Sequence, residues 1–393
     1  MNSIELFAGG GGLALGFHDA QVDHEVVCEW DADSCATLRK NWTDPSGLNL
    51  RTDIREGDVR DMDFREFEGR VDLVTGGPPC QPFSIGGKAQ GYNDQRDMFP
   101  QAARVVRETR PRAFVFENVR GLLRRSFSKY FQYVLLQLTY PEVGKRPNDD
   151  WLRHLSRLES HHTRGNVRGL EYRVLFRLVN AADYGVPQKR ERVVIVGFRS
   201  DIQEPWNFPV ATHSEDALHH AKWVTGTYWD EHRIANAARA AMPDNMARRV
   251  ANLAAMPFNA RWRTVRDAIG HLPDPRSPEA NRIQGHRFRN GARAYAGHTG
   301  SPIDDPAKTL KAGDHGVPGG ENMLCMPDGT VRYFTTRESA LLQTFPDWYS
   351  FPGSWTESMR QIGNAVPVRL AHTIATSVTE ALVAHERRLT MQN

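Results

Sequence analysis

Gly76-Gly77-Pro78-Pro79-Cys80-Gln81-Pro82-Phe83-Ser84 decides how the chain is read. The apolar run before it, Val71 to Thr75, reads as a buried parallel strand. Two glycines and two prolines stop that strand abruptly. A cysteine follows at once, where an α/β sheet opens its ligand crevice. Prolines on either side restrict the backbone around Cys80 and so the geometry of its thiol. A thiol held this way can be a nucleophile. It can also be a small buried hydrophobe, the commoner fate of a lone cysteine. The neighbours must decide.

The 393 residues, 40% hydrophobic and 25% charged, suit one large or two ordinary domains with a real core. A formal net charge of +3 is too mild to point to nucleic acid by itself. The four cysteines, Cys28, Cys35, Cys80 and Cys325, have no paired C-x-x-C spacing. No structural zinc and no disulfide framework are expected, in keeping with a reducing cytoplasm. Met1-Asn2-Ser3-Ile4-Glu5 has no basic leader region, and no apolar run approaches a membrane span.

Ser3 to Phe7 reads as a short strand, and the glycine run Gly9 to Gly12 turns it into a helix. Such glycines let backbone approach a ligand beside a helix N-terminus, or make a tight turn and nothing more. The next strand, His24 to Cys28, ends in Glu29, 20 residues after Gly9. Nucleotide-binding folds place a carboxylate for ribose hydroxyls at that separation. Gly57-Asp58-Val59 offers another carboxylate after a further strand. Three strand ends in register, carrying glycines, Glu and Asp, favour an adenosyl-type ligand over solvated loops. A helix starts near Asp97, with Met98, Ala102, Val105 and Val106 as its buried stripe. Arg112 to Phe116 is another strand, with Glu117-Asn118-Val119 at its end. Glu117 there is either an acid with a raised pKa or the first residue of a helix capped by Asn118.

Phe127 to Gly169 reads as a surface insertion whose histidines are solvated rather than metal ligands. Tyr172 to Val179 resumes the strands. Gln188-Lys189-Arg190-Glu191-Arg192 leads into the apolar run Val193 to Phe198. At a spacing of two, Arg190 and Arg192 share one strand face, suited to an anionic or carbonyl partner or to a structural ion pair. After Phe198 the chain becomes loop-rich. Arg261 to Gly300 carries eight arginines against three acids, with Trp262, Phe288 and Tyr295 among them. That segment suits phosphate contacts, or else is a solvated basic surface. Tyr333 to Phe345 is an amphipathic helix with its entry, and Val368 to Val383 a last helix.

Laid out in this order, the sequence resembles the DNA (cytosine-5)-methyltransferases of bacterial restriction–modification systems. The resemblance runs through nearly the whole chain. Phe7-Ala8-Gly9-x-Gly11-Gly12 is similar to the first S-adenosylmethionine motif, Pro78-Pro79-Cys80-Gln81 to the catalytic loop, and Glu117-Asn118-Val119 to the catalytic acid motif. Gln188-x-Arg190-x-Arg192, Arg332 to Pro346, and Gln361-x-Gly363-Asn364-x-Val366-Pro367 resemble the eighth, ninth and tenth motifs. Two departures stand out. Glu5 occupies a place where Asp is frequent, and the stretch around 138–170 is longer than in compact members.

The resemblance implies an α/β fold: a Rossmann-like methyltransferase sheet domain, residues 1–199 plus 354–393, and a smaller loop-rich domain, 200–353. The target recognition region would span about 200–330, with DNA in the cleft between the domains. Cys80 would add to C6 of a flipped-out cytosine, Glu117 would act at N3, and Arg192, with Arg190, would hold O2. The methyl donor would be S-adenosylmethionine, with no metal. Phe7, Gly9, Gly11 and Leu13 would wrap it, Glu29 take its ribose, Trp30 stack on adenine, and Asp58 meet the adenine amine. Pro78, Met98, Asn364 and Val366 would complete that pocket. Gln81, Ser84, Gln188, Arg287, Arg289, Arg293 and Thr309 are the candidate contacts to double-stranded DNA. A cytoplasmic, nucleoid-associated monomer is expected, paired in function but not in a stable complex with a restriction endonuclease. An RNA cytosine-5 methyltransferase on the same scaffold and an idle DNA-binding regulator are the alternatives.

Overall fold

The structure, a computed structural model, describes residues 1–43, 52–79, 97–165, 169–253, 259–312 and 322–392. The chain divides into two compact units. The first comprises Met1–Val179, Glu191–Phe208 and Ala371–Asn393; the second comprises Asn180–Arg190 and Pro209–Leu370.

In the first unit the chain runs β1 (Asn2–Leu6), α1 (Gly12–Asp19), β2 (Asp23–Glu29), α2 (Ala32–Thr43), β3 (Asp53–Glu56), β4 (Leu73–Gly76), α3 (Phe99–Thr109) and β5 (Ala113–Val119). Then come α4 (Ser128–Thr139), α5 (Trp151–Arg164), β6 (Tyr172–Asn180) and β7 (Glu191–Arg199). The strands form one seven-stranded sheet in the order β3-β2-β1-β4-β5-β7-β6. β3, β2, β1, β4 and β5 are parallel, while β7 runs antiparallel to β5. The order reverses between β1 and β4, the switch at which doubly wound sheets bind ligands. The short run Leu73–Gly76 is buried throughout because it is paired on both sides.

Strand periodicity sends Ile4 and Leu6 into one apolar core, with Phe64, Phe114, Phe116 and Tyr172. It sends Ser3 and Glu5 to the other face. Two titratable groups are fully enclosed there. Glu5 accepts from the Thr75 hydroxyl at 2.9 Å, and burial pushes its carboxyl up to about 8. His24 pairs with the Ser3 hydroxyl at 2.7 Å and the Ala14 carbonyl at 2.8 Å, and burial pushes it down to about 4. Both are therefore neutral near pH 7.

The insertion is helical, and its α5 is no solvated appendage. Asp150 caps it, and Leu155 and Leu158 are buried. His154 is buried as well, between the Tyr133 hydroxyl at 2.9 Å and the Val143 carbonyl at 2.6 Å. The expectation of solvated histidines is thus corrected at His154: the imidazole satisfies two polar groups under an aromatic cluster of Tyr130, Tyr133 and Trp151.

The second unit holds β8 (His213–Ser214), α6 (Glu215–His219), α7 (Thr227–Glu231), α8 (Ala247–Ala251), β9 (Ala260–Arg261), α9 (Val265–Ile269), β10 (Ser301–Pro302), β11 (Met323–Cys325) and β12 (Val331–Tyr333). It continues with α10 (Thr336–Leu342) and α11 (Trp355–Asn364). α12 (Val368–Gln392) passes into the first unit at Ala371. The sequence placed this return at 354. Residues 354–370 stay with the second unit because the Gln343 amide donates to the carbonyls of Ile362 (2.6 Å) and Ala365 (3.2 Å). Among the described residues, no helix is long and apolar enough to cross a membrane.

Glu5 makes the pH dependence of stability testable. Its folded pKa of about 8 lies above the ordinary 4.5, so the folded state holds a proton the unfolded state has released. The stability this group contributes is full below about 4.5 and is lost as pH rises through about 8. Glu5→Gln should remove that slope while His24, present in both proteins, cancels. Melting temperatures of the two proteins that stay parallel from pH 5 to pH 9 would show that Glu5 is ionised in the folded state.

Candidate active site

The parallel strands end level. Leu6 pairs with Cys28 and Gly76, Glu29 with Glu56, and Gly76 with Phe116. This register puts Phe7, Glu29, Gly77 and Glu117 along one edge of the sheet. Gly76 permits the alignment, since a Cβ there would meet the Leu6 carbonyl oxygen at 2.5 Å.

Beyond β1 the backbone takes unusual turns. Phe7 has φ 58, a left-handed conformation uncommon for an aromatic residue. Gly9 (φ 55) and Gly11 (φ 82) follow, and Gly11 precedes the buried first turn of α1, with Leu13. The Glu29 carboxylate ties this turn to β2. It accepts from the backbone N–H of Gly9 at 2.7 Å, of Asp31 at 2.9 Å and of Trp30 at 3.0 Å. Burial raises its pKa, and those three donors offset only part of the rise. Beside it the Trp30 indole is 75% exposed, an uncovered aromatic face next to a buried acid. Asp58 caps a short turn by accepting from Arg60 N–H at 2.9 Å, and its ion pair with Arg60 keeps its pKa low.

The stem of the cysteine loop is well defined. Asn118 donates from Nδ2 to the Pro78 carbonyl at 2.9 Å. Met98, where the chain re-enters, donates its N–H to the Pro79 carbonyl at 3.3 Å. Tyr130 donates to the Asp97 carboxylate. Cys80, Gln81 and Ser84 themselves lie outside the described residues.

Glu117 lies inside β5, not at the start of a helix, and Asn118 is a clamp on Pro78, not a cap. Arg192, near the start of β7, brings its Nε to 2.6 Å from Glu117 Oε1. Both side chains are 11% exposed. Burial lowers the guanidinium's pKa, and Glu117 raises it again. The other carboxylate oxygen faces the loop stem, for a Cβ on Gly77 would stand 3.6 Å from it. A carboxylate gripped by one guanidinium can meet a hydrogen-bonding ring edge while charge stays balanced.

Two assignments are corrected. Arg190 does not share a face with Arg192, because β7 begins only at Glu191 and Arg190 belongs to the other unit. It is fully buried, and donates to the carbonyls of Leu310 (3.0 Å) and Gly363 (2.8 Å). Gln188, taken as a DNA contact, is also fully buried, with its amide bonded to Gln343 and to Leu310 N–H. Thr309 is half-buried and donates to the Lys189 carbonyl at 2.7 Å. Arg287, Arg289 and Arg293 are exposed, and Arg289 lies 4.1 Å above the Trp355 ring. Trp262 is core rather than surface, beside Tyr228 and Trp229. Asn364 is exposed and Val366 buried, both in the second unit.

The model of the C-5 cytosine-specific DNA methylase family matches residues 1–140 and 158–380. The chain belongs to that family. This methyltransferase is 31% identical to the Type II methyltransferase M.PspPI of Psychrobacter sp., over 97% of its own length and 79% of that protein. It is 32% identical to M.Eco47II of Escherichia coli, over 96% and 79%. Its fold is similar to that of an E. coli prophage-encoded protein described as a DNA modification methyltransferase (TM-score 0.60, 21% identity, 97% and 99% covered). It also resembles Spodoptera frugiperda DNMT2 (TM-score 0.55, 14% identity, 97% and 99% covered). The protein is a DNA (cytosine-5)-methyltransferase of the restriction–modification kind. The likeness to DNMT2 is one of fold alone. The family's unmatched stretch, 141–157, falls in the insertion.

Asn118→Ala would leave the Pro78 carbonyl without its buried donor. A loss of about 1–3 kcal/mol is expected from such an orphaned group. Urea unfolding measures it, and an unchanged midpoint would mean that Pro78 finds another donor.

Proposed function

We propose that this enzyme methylates C5 of a flipped-out cytosine in a specific double-stranded DNA sequence, with S-adenosylmethionine as donor. The observation that carries the reading is the buried Glu117–Arg192 pair at the sheet edge beside the clamped stem of the Cys80 loop. In this reading the first unit is the catalytic and donor-binding domain, and the second reads the target.

The residues fit the donor. Its cationic sulfur supplies an electrophilic methyl group without help from a metal. Glu29, already aligned by three N–H groups, would take the ribose hydroxyls, Trp30 would cover the adenine, and Asp58 would face its amine. Phe7, Gly9, Gly11, Leu13, Pro78 and Met98 would line the rest, and Asn364 and Val366 are assigned to the donor by their motif. Glu29→Ala should weaken donor binding by about 1–3 kcal/mol, the worth of charge-assisted hydrogen bonds. Isothermal titration with unaltered affinity would remove Glu29 from the site.

The chemistry follows from the base. Cytosine C5 is a poor nucleophile until a thiolate adds to C6. The Cys80 sulfur forms that bond, and the ring's electron pair becomes available at C5. Glu117 would pass a proton to N3 as the thiolate adds, and Arg192 would hold O2 and balance the carboxylate left behind. After methyl transfer the C5 proton leaves to a base and the Cys80–C6 bond breaks. Arg287, Arg289 and Arg293 would meet phosphates, Thr309 would face the DNA, and Gln81 and Ser84 would fill the space the base vacates. We place the enzyme in a bacterial cytoplasm, on the nucleoid, as a monomer that protects sites from a paired endonuclease.

Bisulfite sequencing of DNA from a host expressing the chain identifies the target. Duplex carrying 5-fluorocytosine there then tests the mechanism, because fluorine cannot leave C5 as a proton does. A denaturant-resistant protein–DNA species should form, only with S-adenosylmethionine present. Its linked peptide should contain Cys80, and Cys80→Ser should abolish it. A crosslink at Cys28, Cys35 or Cys325 would sink the assignment.

A further inference from the structure

Four segments far apart in sequence meet in one buried hydrogen-bond ring inside the second unit. Gln343 donates from Nε2 to the carbonyls of Ile362 (2.6 Å) and Ala365 (3.2 Å). Its Oε1 accepts from Gln188 Nε2 at 3.2 Å. Gln188 Oε1 in turn accepts from the Leu310 N–H at 3.0 Å. The Leu310 carbonyl accepts from Arg190 Nη1, whose Nη2 donates to Gly363 and returns the ring to its start. Both amide orientations are forced, since Leu310 N–H can only donate and the Ile362 carbonyl can only accept.

Gln188, Arg190 and Gln343 are each fully buried. None can reach a ligand, and a buried amide or guanidinium is costly unless its partners are in place. Close packing adds to the constraint. A Cβ on Gly363 would stand 2.4 Å from Ala312 N, so the end of α11 lies directly against the segment that carries Thr309 and Leu310. Leu310 is thereby linked to residues 362–365 by two independent routes, one through Arg190 and one through Gln188 and Gln343.

We propose that Gln343, with Gln188 and Arg190, is a positioning residue that locks the donor-facing turn 363–366 in register with the DNA-facing segment Thr309–Leu310. The proposal rests on the assignment of Asn364 and Val366 to the methyl donor and of Thr309 to DNA. Its distinctive consequence is that disturbing one residue that touches neither ligand impairs both. Gln343→Leu removes the amide and keeps the bulk. Arg190→Lys keeps the charge but cannot hold both carbonyls at once.

The test measures dissociation constants for S-adenosylmethionine and for the target duplex, using the full chain well below its melting temperature. Asn364→Ala and Thr309→Ala serve as direct controls. The first should weaken donor binding alone, and the second DNA binding alone. Gln343→Leu and Arg190→Lys should each weaken both constants by about tenfold, as expected when a buried hydrogen-bonded link is cut. If both variants melt earlier yet bind both ligands like the parent, or if only one constant moves, the ring is mere scaffolding and the proposal is wrong. If Gln343→Leu does not fold, Arg190→Lys alone decides. Should the controls leave both constants unchanged, the assignment of Asn364 and Thr309 has failed instead.

Discussion

At Gly76 the end of β4 lies so close to β1 that no side chain fits between it and the Leu6 carbonyl. The level ends of the parallel strands depend on this approach. Phe7 turns out of β1 there, Glu29 closes β2 beside it, and Pro78 leaves β4 next to β5. A bulkier residue at 76 would push β4 away from β1 and carry the loop stem with it. Pairing of β1 with both neighbours is thus the frame on which each site residue hangs.

The Glu117–Arg192 pair shows how β5 and its antiparallel neighbour share the work. Val119 pairs with Arg192, and Glu117 with Val194, so both charges come to one end of the sheet. Each charge is nearly closed off from water, and removing either would leave the other buried and unbalanced. Conservative replacement at Arg192 is therefore not mild: a lysine would keep the charge and lose the planar donor edge.

Much of this was legible in the sequence wherever a residue's position along a strand fixed its role. The strand before Gly76, the acid at Glu29, the turn at Gly9 and the acid at Glu117 could all be placed by counting. What could not be read was the direction taken by polar side chains outside regular strands. Arg190 and Arg192 look alike in a line of text, but the chain leaves one unit for the other between them. Gln188 and Gln343 carry no sequence mark that separates a buried amide from a solvated one. His154 was misjudged for the same reason, since its partners, Tyr133 and Val143, come from other parts of the insertion. Asn118 was noticed for the wrong task, as a cap where it is a clamp.

The first unit is assembled from three separated stretches of chain, the last beginning at Ala371. α12 is part of its fabric: the Trp206 indole donates to Ser377, and Arg112 reaches Glu386 and the Leu382 carbonyl. The sheet is synthesised by Phe208, yet α12 emerges only after the second unit has been made. At translation rates of roughly 5–20 residues per second, that delay is on the order of ten seconds or more. For that interval the nascent first unit lacks the helix in which Ile374, Val378 and Leu382 are buried and to which Trp206 and Arg112 bond. The first unit can therefore close only after the whole of the second has been synthesised.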